Sequence, residues 1–133
     1  MSKIAQSRTV SASIRRPVDE VYAFASNPEN LPKWASGLSE SIKRSGDSWI
    51  TETPNGTMRV RFVETNRFGV LDHYVTPPQG AEIYVPMRVV ANGPGSEVSL
   101  TVYRQPEMSD KKFAEDAAWV ERDLNALKAL LEK

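Results

Sequence analysis

The chain opens on a strict alternation, with Val10, Ala12 and Ile14 set against Thr9, Ser11 and Ser13. A period of two sends successive side chains to opposite faces, so "TVSASI" predicts a half-buried strand. The period then lengthens. Pro17 opens "PVDEVYAFASNPENLPKW", in which Val18, Val21, Tyr22 and Ala25 share one helical face. Proline suits the first helical position, where its missing donor would be unsatisfied anyway. Asp19 and Glu20 meet the positive end of the helix dipole, and Pro28 ends the helix. A second short helical piece over Leu31 to Ala35 carries Trp34.

From there to residue 104 the pattern is that of consecutive antiparallel strands, parted by turn sequences at 45–47, 55–56, 77–80 and 92–95. Asn-Gly between strand-like runs, as at 55–56, is a strong short-range hairpin signal. "EVSLTVY" alternates cleanly, Val98, Leu100 and Val102 against Glu97, Ser99, Thr101 and Tyr103. One long helix follows from Ser109, with Phe113, Ala117, Val120, Leu124, Leu127 and Leu131 within roughly 40° of one line at about 100° per residue. Ser109 is placed to cap it and Asp110 to favour its first turn. The fold class is therefore α+β: a bent antiparallel sheet of about seven strands, two short helices after the first, and a C-terminal helix covering the concave face.

The totals narrow the function. A single domain over residues 1–133 is long enough to bury a core unaided. Seventeen basic side chains balance seventeen acidic ones, which is not the basic surface that nucleic-acid binding demands. There is no cysteine and one histidine, so disulfides, thiolate chemistry and Cys-based zinc sites are excluded, and neither a metal nor another cofactor is expected. No run approaches membrane-spanning length and "MSKIAQSRTV" has no apolar leader core. A cytoplasmic protein with no membrane insertion is the expectation.

The order of elements, with "RRPVDEVYAFASNPENLPKW" (15–34), "NRFGVLDHYV" (66–75), "PMRVVANGPGSEVSLTVYRQPEMSD" (86–110) and "FAEDAAWVERDLNALKALLE" (113–132), resembles the helix-grip fold of the SRPBCC superfamily. That superfamily includes START lipid-transfer domains and polyketide cyclase/dehydrase-like proteins. The resemblance covers essentially the whole chain and is closest to a bacterial branch without an assigned substrate. It implies a hydrophobic cavity between sheet and helix, and no particular reaction.

Strand geometry decides which side chains could line that cavity. Asp72 and His73 are neighbours in a strand and point to opposite faces. If the loops at 66–67, 77–80 and 92–95 hold even numbers of residues, Arg61, Asp72, Tyr74 and Met87 share a face with Val98, Leu100 and Val102, and His73 looks outward. The strand at 58–63 argues the other way, because Met58, Val60 and Phe62 look like its buried side. On the first alternative Asp72 and Arg61 form either a polar anchor in an apolar pocket or a structural cross-strand ion pair. Trp34, Arg61, Asp72, Tyr74, Met87, Phe113 and Ala117 are the candidate cavity residues. Ala117, small and central on the helix stripe, would leave room for a ligand. The expected function is binding or carriage of a small hydrophobic or amphipathic molecule. The alternative is a cyclase/dehydrase-like enzyme acting on a hydrophobic carbonyl substrate, with Asp72, Tyr74 and Arg61 as its acid–base candidates. Whether any reaction occurs is left open. Trp119 lies about 120° off the buried helix stripe and, with Leu130, would serve a homodimer contact.

Overall fold

A computed structural model describes residues 4–35, 41–54 and 56–133. Strand β1 (Ser7–Ile14) leads into α1 (Val18–Ala25), a 3-10 turn (Pro28–Asn30) and α2 (Leu31–Trp34). Seven further strands follow: β2 (Lys43–Ser45), β3 (Ser48–Thr53), β4 (Gly56–Phe62), β5 (His73–Thr76), β6 (Ile83–Val85), β7 (Met87–Asn92) and β8 (Gly95–Tyr103). Helix α3 (Asp110–Leu131) ends the chain. Asn55 of the expected Asn-Gly turn lies outside the described residues; Thr53 pairs with Gly56 across that hairpin.

Every pairing is antiparallel, in the ladders β1-β8-β7 and β2-β3-β4-β5-β6. The two are joined where Val70 bridges Arg88 and the Leu71 amide donates to the Met87 carbonyl at 2.8 Å. Val70 opposite Arg88 and His73 opposite Val85 keep one register. Strands β6 and β7 are therefore one run interrupted at Pro86, which has no amide to give to a ladder. That break separates the eight strands observed from the seven expected.

At the join, the chain turns so tightly that only glycine fits. Gly69 has φ +71°, and a Cβ there would stand 2.1 Å from the Val89 carbonyl oxygen. The Val89 amide in turn donates to the Gly69 carbonyl at 2.9 Å.

Helix α3 forms where the sequence pattern places it. Ser109 caps it by accepting from the Lys112 amide, and Phe113, Ala117, Leu124 and Leu127 are its buried stripe. It lies chiefly along β1 and β8. Val98, Leu100, Ala12 and Ile14 come from the sheet to meet it in a core shared with Val21 and Ala25 of α1. No described helix is long and apolar enough to cross a membrane.

Candidate ligand cavity

Because α3 runs along β1 and β8, the β4–β6 half of the concave face is left facing open space. A cavity of about 350 Å³ fills that gap. The sheet contributes Met58, Val60, His73, Val75 and residues 83–85 from β4–β6, together with residues 100–103 of β8. Leu31, Trp34 and Ala35 of the α2 segment close one end, and Asp116, Trp119, Val120 and Asp123 form the helix side. The wall is mostly apolar with a few polar groups, as in a small-molecule pocket, and its volume lies at the low end of about 300–1,000 Å³.

His73 is the most distinctive of those groups. Only 7 % of it is exposed, its ring stacks on Phe62 with centroids 4.8 Å apart, and Nδ1 lies 3.0 Å from the Leu71 carbonyl oxygen. A carbonyl can only accept, so Nδ1 carries the proton and Nε2 keeps its lone pair. Burial pushes the His73 pKa below its ordinary value near 6.5, outweighing the Leu71 hydrogen bond and the Asp72 charge, which both raise it. The ring is thus held neutral. Among the described residues Nε2 has no hydrogen-bond partner. Trp34, 4 % exposed in the same wall, has an indole Nε1–H that is buried with no acceptor among the described residues. Asp116 is paired with Lys112 at 2.8 Å on the solvent side. No lysine or arginine is among the described lining residues, and no cluster of potential metal ligands occurs among the described residues.

Of the seven residues proposed from sequence to line a cavity, the structure brings only Trp34 to this wall. Met87, Phe113 and Ala117 are buried, between sheet and helix, but outside the described lining. Arg61, Asp72 and Tyr74 are on the opposite, convex face. There Arg61 sits over the Tyr74 ring at 4.4 Å and bonds Glu82 at 3.3 Å instead of Asp72. The Asp72 carboxylate accepts from the Met87 amide at 2.9 Å, from the Tyr84 hydroxyl at 2.8 Å, and from Arg88 in an ion pair. The hydrogen bond to Asp72 raises the Tyr84 phenol pKa above its ordinary value.

The reversal of faces traces to one loop. Val75 pairs with Ile83, so seven residues, 76–82, separate the partners, an odd number where an even one was expected. Pairing of Phe62 with His73 and of Met87 with Leu100 follows the expected parity. The apolar alternation Met58, Val60, Phe62 was the signal that would have turned His73 and Val75 inward.

An antiparallel sheet closing on a terminal helix, with a mostly apolar cavity between them, defines the helix-grip class of folds. A family model described as "Polyketide cyclase / dehydrase and lipid transport" matches residues 5–132. The chain belongs to that family, within the SRPBCC superfamily. No curated protein matches it in sequence. Among solved structures it is similar to XoxI from Bacillus cereus (18 % identity, TM-score 0.75, covering 96 % of each chain). It is similar also to a START superfamily protein from Mycobacterium smegmatis (10 %, 0.74, covering 95 % of this chain and 97 % of that one). A third is CalU16 from Micromonospora echinospora (18 %, 0.67, 95 % and 74 %). At these identities the likeness shows the fold alone.

Proposed function

We propose that the protein binds a small hydrophobic molecule in the chamber between α3 and the β4–β6 half of the sheet. The observation that carries this reading is the chamber itself, about 350 Å³ of space walled mostly by apolar side chains between sheet and helix. Native mass spectrometry of gently purified protein is expected to show a mass increment that disappears on denaturation, and naphthalene is expected to bind saturably. Replacing Val85, which faces His73 across the strand pair, by tryptophan fills the chamber. V85W should lose both signals while keeping its secondary structure. A wild-type protein with no increment and no saturable binding overturns the reading.

A second reading, an enzyme of the cyclase/dehydrase kind, is favoured by His73. A buried neutral imidazole with an open Nε2 lone pair is suited to take a proton from an acidic carbon beside a substrate carbonyl, and such general bases contribute about 10²–10⁴-fold. The acid–base role considered for Asp72, Tyr74 and Arg61 finds no support in their convex-face positions. On a substrate found by screening, His73→Phe should lose turnover by at least about 10²-fold with binding retained. Unchanged turnover in H73F removes His73 from the chemistry.

A further inference from the structure

We infer that the chamber selects an uncharged ligand bearing a hydroxyl or N–H donor, which it recognises through Nε2 of His73, and that it rejects anions. This rests on the cavity-binding reading above and specifies what kind of molecule that cavity takes.

The tautomer sets the first requirement. With Nδ1–H committed to the Leu71 carbonyl, the imidazole can offer the cavity only an acceptor. A ligand that presents an acceptor there meets a lone pair; a ligand that presents a donor completes the ring's hydrogen bonding. Protonating the ring to make it a donor is opposed by its burial.

Charge sets the second. The described lining holds two aspartates and no lysine or arginine. A carboxylate or phosphate entering it would shed its hydration beside two aspartates, and Lys112 at the edge is already paired with Asp116, so the cost in an apolar site is not offset. Free fatty acids and anionic headgroups are thereby disfavoured. The Trp34 Nε1–H, without an acceptor among the described residues, adds a third preference, for an acceptor oxygen elsewhere on the same molecule. At interior packing density about three-quarters of the cavity can be filled by ligand atoms, room enough for a fused-ring skeleton.

Three matched probes test this: a naphthol, its methyl ether and the corresponding naphthoate, titrated into the wild-type protein at pH values above the ordinary histidine range. Naphthol is expected to bind roughly fivefold more tightly than the ether, the factor that one net neutral hydrogen bond supplies. Naphthoate should bind more weakly than either. Because the chain has a single histidine, isotopically labelled histidine gives one imidazole to follow by NMR. Its Nε2 resonance should move with naphthol and stay in place with the ether. His73→Phe should keep the ether's affinity and lose the preference for naphthol; if that variant does not fold, the wild-type NMR titration decides alone. Saturable binding of all three with equal affinity and an unmoved imidazole, or tighter binding of the naphthoate, overturns the selectivity while leaving cavity binding intact. No saturable binding by naphthalene or any of the three removes both.

Discussion

His73 is charged more easily in the unfolded chain than in the folded one, because folding takes its ring out of water and seats it against Phe62. The sign of the pH dependence follows. Its folded pKa is depressed, so the unfolded state holds more protons between the two values, and stability is complete above the ordinary value near 6.5. It falls as pH drops through that value and levels off below the folded pKa. Urea unfolding midpoints at pH 7.5 and pH 5 should therefore differ more in the wild type than in His73→Phe, which cannot titrate there. Equal differences in the two proteins would mean that the ring is not buried neutral. Asp72, one residue earlier, points to the other face of the strand. Its carboxylate is ringed by donors from Met87, Tyr84 and Arg88 on the convex face, and serves the sheet as a brace across the Pro86 break. The sequence marked this pair as the place to look and left open which member faces the cavity; in the structure it is His73 that lines it. A strand's alternation says that two neighbours are separated, and only the register of the partner strand says which of them goes in.

At the scale of elements, periodicity carried most of the information. The first strand, the Pro17-initiated helix and the capped C-terminal helix are each written in local pattern, and each is found within a few residues of its expected bounds. Buried Phe113, Ala117, Leu124 and Leu127 match the stripe drawn at about 100° per residue. What was not legible lies where a long-range partner decides. The loop after β5 could close with an even or an odd number of residues, and Pro77, Pro78, Gln79 and Gly80 are compatible with both. The odd closure turned Asp72, Tyr74 and Arg61 away from the cavity wall and His73 and Val75 toward it. Pro86 is legible as a ladder-breaker, yet not as a break that the neighbouring strand spans without a change of register. Gly69 gives no warning at all in sequence, since its need arises from the Val89 carbonyl that folding brings against it.

For the whole molecule, the chamber depends on where α3 is held, and its two ends are held differently from its middle. A helix of this length spans about 33 Å, and it crosses the sheet with each end tied to the region of β1. At the N-terminal end Arg104, just past β8, donates to the Met108 carbonyl from Nε (3.0 Å) and Nη2 (2.8 Å), to Gln6 Oε1 (3.1 Å) and to Asp110. At the C-terminal end Arg16 donates to the Leu131 carbonyl (2.7 Å) and the Lys133 carbonyl (3.0 Å), while Lys128 reaches the Ser13 carbonyl (2.6 Å). Arginines on the last carbonyls of a helix satisfy groups that have no intrahelical partner and oppose its dipole. Anchored this way, α3 is kept along β1 and β8 instead of settling onto β4–β6, and the gap stays open. Arg104→Ala removes the N-terminal tie. Its side chain is about a third exposed, which discounts the ion pair with Asp110, whose carboxylate is almost fully exposed. The bonds to Met108 and Gln6 leave an expected loss of about 1–2 kcal/mol. The local signature is more telling than that total. Amide exchange should accelerate in the first turns of α3 and stay as it was in α1, and apolar probes should leave the chamber faster. If exchange at residues 110–116 is the same in R104A as in the wild type, the helix is held by its buried stripe alone, and the chamber's width is not set from its ends.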